Sequence, residues 1–152
     1  MQIDSSKDWQ DTGLKPASQS GKYIVVRATG TWNCRTDDPK FGTRNAKGLY
    51  ENTGAQYTVS TEGNAAFPYS GPGGLQGQLL GRIGTKGNSF VVGTYCQIEI
   101  GGSPSDTLWL RINDDNVKDN QGSLDVTWLA SDGPDTSAPA KAPYIRTGFN
   151  RG

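Results

Sequence analysis

The apolar residues of this chain fall into short runs separated by glycines and polar turns. Two runs alternate strictly. Leu108, Leu110 and Ile112 share one face of a strand, with Trp109 and Arg111 on the other. Leu124, Val126 and Trp128 repeat the pattern, with Asp125 and Thr127 between them. A period of two with one apolar and one wet face marks a half-buried antiparallel strand. Trp128 is therefore expected in the core, and Trp109 at a sandwich edge or against a partner.

Further strands are predicted at residues 23–28, 56–60, 79–83 and 90–93 from their β-branched or apolar content. Residues 95–100 add another, in which Cys96, Ile98 and Ile100 alternate with polar neighbours. No segment carries the 3.6-residue period of an amphipathic helix. Seven or eight short antiparallel strands with frequent turns predict an all-β fold, a β-sandwich.

Two stretches interrupt the pattern. Residues 32–54 are polar and glycine-rich and read as a long loop, with room for a short strand, of a length often used for binding. Residues 67–74 are turn chemistry throughout. The sandwich is expected to occupy residues 1–131. Residues 132–143 form a Pro/Ala/Ser linker, and an extended tail with Tyr144, Ile145 and Phe149 follows. A tail of this composition predicts a homo-oligomer or a larger assembly joined through residues 134–152.

Composition narrows the function. A length of 152 residues suits one domain with a true core. The 21 glycines and the 33% hydrophobic content would also suit disorder, but the apolar residues are too clustered for that reading. Fifteen basic residues balance fifteen acidic ones, so nothing electrostatic favours nucleic acid or an anionic membrane. No signal peptide and no apolar span is visible. The chain is expected to be cytoplasmic at synthesis, with any release to a cell surface or particle independent of a cleaved signal. Cys34 and Cys96 predict two reduced, half-buried thiols rather than a disulfide framework.

The chain has no histidine. That removes the commonest general base, the Ser-His and Cys-His nucleophile pairs and most zinc sites. A hydrolase built on paired carboxylates could draw on Asp37, Glu51, Glu62, Glu99 or Asp114, but no spacing sets two of them at a working distance. Asp37 and Asp38 read as a solvated turn. The glycine run at residues 71–74 lacks the Lys-Ser/Thr ending of a phosphate loop. The chain is expected not to be an enzyme.

One segment carries candidate chemistry. Between the two clearest strands lie Asn113, Asp114, Asp115, Asn116, Val117, Lys118, Asp119 and Asn120. Three carboxylates this close repel one another unless a cation joins them, and Lys118 offsets one charge at most. Calcium takes about 6–8 oxygen ligands from carboxylates, amides and carbonyls, and a short loop rich in Asp and Asn supplies that kind of donor. The same residues also make ordinary solvated turns. An EF-hand does not fit, because Asp119 stands where its glycine belongs and Asp125 where its glutamate belongs. Magnesium, which keeps most of its waters, fits less well than calcium.

Leu110-Arg111-Ile112-Asn113-Asp114, followed by Asp119-Asn120-Gln121-Gly122-Ser123-Leu124-Asp125-Val126, resembles the calcium loop of the LecA-like bacterial galactophilic lectins. Trp9-Gln10-Asp11-Thr12-Gly13 with residues 24–32, and Gly77-Gln78-Leu79-Leu80-Gly81-Arg82-Ile83-Gly84, are similar to other strands of that family, so the resemblance spans about residues 9–130. It implies a jelly-roll, galactose-binding-like β-sandwich in which Ca2+ bridges protein and sugar hydroxyls. It implies that Asp114, Asp119 and Asn120 ligate through side-chain oxygens and that Asn116 contributes a backbone carbonyl. A further carbonyl would come from Asn33 or Cys34. Asp114 and Asp119, with Asp115, Asn33 and Trp32 nearby, would meet the sugar. The chain departs from the family in its shorter loop, in Cys34 at an aromatic position, in its missing pocket histidine and in residues 35–74.

Trp32, Phe41, Tyr50, Tyr57, Phe67 and Tyr69 are the aromatic residues that could stack on a pyranose. The resulting expectation is a calcium-dependent carbohydrate-binding, lectin-like module. The alternative is a structural or receptor-binding subunit of a phage tail or contractile injection particle, with the tail as its assembly arm.

Overall fold

The computed structural model describes residues 1–34, 44–47, 68–69, 74–114, 116–133, 135, 137–139 and 142–147. The strand expected at residues 56–60, most of the long loop, and Asp115 lie outside them. The described residues form eleven strands and two one-turn 3-10 helices. They are all-β, in two sheets that enclose one core.

The strands are β1 Gln2–Asp4, β2 Gln10–Asp11, β3 Tyr23–Thr29, β4 Thr31–Asn33, β5 Arg44–Asn45 and β6 Leu79–Ile83. β7 Phe90–Val91, β8 Tyr95–Glu99, β9 Leu108–Ile112, β10 Gln121–Ser131 and β11 Tyr144–Ile145 complete the set. The larger sheet runs β11-β8-β3-β10-β4-β5, with β1 also paired to β10. The smaller runs β2-β9-β6-β7. Every pairing between these strands is antiparallel except β11 with β8.

The alternation that marks β9 and β10 also aims their side chains. Leu108, Leu110, Ile112, Leu124 and Val126 are fully buried between the sheets, joined by Ile24, Val26, Ile98 and Leu79. Each such residue contributes roughly 1.5–3 kcal/mol on burial. Trp128 packs against this cluster from its margin.

β3 and β4 are two halves of one long strand opposite β10. Asp125 pairs with Thr29, and past Gly30 the same register resumes with Gly122 against Trp32 and Gln121 against Asn33. Gly122 has φ of +92°, and a Cβ there would stand 3.2 Å from the Trp32 Cα. Gly122→Val combines a left-handed backbone with that contact. A loss of about 1–3 kcal/mol in urea unfolding is expected.

The described residues of the linker and tail close on their own chain. β10 ends at Ser131 beside Tyr23, yet Asp135 sits at the far end of β3, accepting from Arg27 at 3.0 Å and from the Tyr95 hydroxyl at 2.7 Å. The chain then turns back, Gln97 N–H donates to the Pro143 carbonyl at 2.9 Å, and β11 adds to the sheet with Ile145 against the core. These residues strap the outer face of β3 and β8.

Bonds from the Ser137 hydroxyl and then the Tyr95 phenol hold the Asp135 carboxyl down at about 2. Burial, then the bond to Asp135, pushes the Tyr95 phenol up to about 12. A lowered carboxyl stabilises the strap fully above its ordinary 3.8, and that contribution is lost as pH falls toward 2. Amide-exchange protection at Gln97, corrected for intrinsic rate, should therefore drop across this window. Asp135→Asn should flatten the dependence.

Candidate functional site

The loop between β9 and β10 leaves one sheet and enters the other, so both ends are fixed by strands. Its start is pinned by Asn113, which is fully buried. The Asn113 N–H donates to the Gln78 carbonyl at 2.8 Å, and its carbonyl accepts from Gly77 N–H at 2.7 Å. Its side-chain amide donates to the Tyr69 and Leu75 carbonyls, both at 3.0 Å. Its Oδ1 is buried with no hydrogen-bond partner among the described residues.

Asp114 is only 1% exposed. Its Oδ1 accepts from Gln76 Nε2 at 2.8 Å, its Oδ2 is buried, and its carbonyl accepts from Arg111 at 3.1 Å. Arg111 is 3% exposed and clamps the loop from below. Nε donates to the Ile112 carbonyl at 2.8 Å, Nη2 holds Asp114, and Nη1 pairs with Asp8. Burial pushes the Arg111 guanidinium down, and Asp8 pulls it back up.

The middle of the loop is a 3-10 turn, Val117–Asp119. Asn116 caps it, its Oδ1 accepting from Lys118 N–H at 3.2 Å. That side-chain oxygen is committed to the cap, which leaves the Asn116 carbonyl as the donor the resemblance implies. Asp119 has a buried Oδ1. Asn120 closes the loop: its N–H donates to the Val117 carbonyl at 3.2 Å, and its amide nitrogen donates to the Ser5 carbonyl at 2.8 Å. Ser5 in turn gives its N–H and hydroxyl to the Gly122 carbonyl. The Asn120 Oδ1 is buried and has no hydrogen-bond partner among the described residues.

β4 approaches this end of the loop. Asn33 pairs with Gln121, and one further step of that register sets Cys34 against Asn120. The Cys34 side chain belongs to the hydrophobic core, so only its backbone could face the loop. Trp32 is 1% exposed and donates its indole N–H to the Gly77 carbonyl at 2.8 Å. It is a core residue, and the sugar contact expected of it is not open to its side chain in this conformation.

The loop thus carries buried side-chain oxygens from Asp114, Asp119 and Asn120, with Asn33 and Cys34 alongside. Among the described residues no three His, Cys, Asp or Glu side chains form a metal-holding group. A cation here would draw on amide and backbone oxygens as well as carboxylates, a mixture that calcium accepts. The orphaned Asn120 oxygen fits such an ion, since a buried acceptor without a donor costs about 1–3 kcal/mol.

Sequence reasoning missed Arg111, Gln76 and Ser5. Alternation sets Arg111 on the wet face, and Gln76 and Ser5 lie far from the loop in sequence. Neither Cys34 nor Cys96 forms a disulfide. Burial lifts the Cys96 thiol to about 12, which leaves it unreactive. No helix among the described residues is long and apolar enough to cross a membrane. No protein-family model matches the sequence, and no curated protein matches it.

Proposed function

We propose that this chain is a non-catalytic, calcium-dependent carbohydrate-binding module, a lectin-like β-sandwich of jelly-roll type whose ion is held by the loop at residues 113–120. The observation that carries this reading is the Asn120 side-chain oxygen, buried without a hydrogen-bond partner among the described residues, on a loop that also buries oxygens of Asp114 and Asp119. Asp114, Asp119 and Asn120 would hold the ion through side chains, joined by the carbonyls of Asn116 and of Asn33 or Cys34. Bound calcium would supply open coordination positions for two neighbouring sugar hydroxyls. Asp114 and Asp119 would accept hydrogen bonds from those hydroxyls. Gln76 and Arg111 orient Asp114, one through its carboxylate and the other through its carbonyl.

A glycan array probed in calcium and again in chelator tests the proposal. Sugar-specific signal that disappears with chelator is expected. Equal signal in both conditions, or none in calcium, would contradict it.

A further inference from the structure

The outer face of the smaller sheet carries a second cluster that the loop does not use. Arg82 pairs across the sheet with Trp109, and its guanidinium carbon lies 5.6 Å from the Trp109 ring centroid. The same carbon lies 4.5 Å from the centroid of Trp9, on the segment leading into β2. Arg82, Trp9 and Trp109 are all half-buried.

The guanidinium is held by rings, yet among the described residues it makes no hydrogen bond and no ion pair. Its Nε is buried without an acceptor. The residue as a whole is half-buried, so part of its side chain stays open to solvent. The neighbouring carboxylate, Asp8, is committed to Arg111, whose own guanidinium lies 5.8 Å from the Trp9 centroid. On the other side of Trp109 stands Asp11, its register partner on β2, so the row across this face carries one charge of each sign, with Arg82 at one end and Asp11 at the other. A guanidinium fork fixed by stacking and lacking an acceptor suits a planar anion, which it takes through two parallel hydrogen bonds. The aromatic walls suit a ligand with an apolar ring face beside that anion.

We propose that Arg82, held between Trp9 and Trp109, anchors a second subsite that takes the carboxylate of an acidic sugar, of the uronic acid kind. The anion contact stands on Arg82 alone. Its reading as a sugar rests on the function proposed above. Arg111 joins the two places: it contacts the Trp9 ring on one side and holds the Asp114 carbonyl on the other. Along β9, Trp109 and Arg111 are two residues apart, roughly 7 Å.

The test uses the full chain in chelator, so that calcium cannot bridge a carboxylate at the loop. Tryptophan fluorescence follows titration with sodium glucuronate, glucose or acetate. Glucuronate is expected to bind about ten-fold or more tightly than either, because it alone offers both carboxylate and ring face. Arg82→Gln should erase that preference while leaving the calcium response of the loop intact. Arg82→Lys, which keeps the charge but loses the fork, should weaken glucuronate without shifting the melting temperature. Indistinguishable binding of glucuronate and glucose, acetate binding as tight as glucuronate, or full glucuronate binding by either variant would each overturn the subsite. None of these outcomes touches the calcium reading, which stands or falls on the glycan array and on the loop's own response to calcium.

Discussion

Arg111→Ala should lower the free energy of unfolding by about 2–4 kcal/mol, measured by urea titration. The side chain is buried at 3% exposure, and two backbone carbonyls, those of Ile112 and Asp114, depend on its N–H groups. Truncation takes a donor from each of these carbonyls and removes the guanidinium that lies 5.8 Å from the Trp9 ring centroid. Asp8, its ionic partner, is 74% exposed and is re-solvated at little cost. Asp8→Ala should therefore cost less than about 1 kcal/mol. That asymmetry separates a backbone clamp from an ordinary salt bridge. If the two substitutions cost the same, Arg111 acts only through Asp8 and does not hold the loop. Arg111→Lys should fall between them, because one ammonium cannot serve both carbonyls and Asp8 in the same geometry.

Asp119→Asn should change sign with the buffer. In chelator, it removes one negative charge from a loop that also holds Asp114 and Asp115, so the variant should melt at or above the temperature of the parent chain. In calcium, the parent gains the binding free energy, about 2.7 kcal/mol at a calcium concentration of 100 times Kd. For a chain of this size that corresponds to a rise of roughly 5–10 °C. The variant should lose most of that rise. Differential scanning calorimetry of both proteins in both buffers makes the comparison. A parallel response of the two chains to calcium would remove Asp119 from any ion site.

The parts of this fold that were legible in the sequence are those whose information is local. β9 and β10 alternate over enough residues for the period to stand out, and the expected positions are buried except Trp128, which is half-buried at the margin of the core. β6 and β8 follow from β-branched and apolar content between glycines. β1, β2 and β11 are only two or three residues long, too short to show a period. They are strands because a longer neighbour offers unpaired backbone groups. The tail was read as an arm joining a homo-oligomer or a larger assembly, whereas its described residues lie on their own chain. Its docking on β8 of its own chain depends on Asp135 finding Arg27 and Tyr95, a contact across more than a hundred residues of sequence for Arg27.

The same division holds at the candidate site. Asp114, Asp119 and Asn120 are close in sequence, and their density was visible at once. The residues that hold them are not close. Ser5, Gln76 and Gln78 reach the loop from distant segments. Arg111 reads as solvent-facing by alternation, but Asp8 and Trp9, from the N-terminal segment a hundred residues away, come to lie against it. Trp32 shows the reverse error. An aromatic residue beside a polar loop looks like a ligand platform, but the constant register of β3 and β4 against β10 turns it into the core.

The most direct measurement is a crystal of the full chain grown in calcium. A single strong peak is predicted at the loop, ringed by oxygens of Asp114, Asp119, Asn120 and the backbone of β4 at about 2.3–2.6 Å. Water alone at that position, with the Asn120 side chain turned toward a protein donor, would contradict the account.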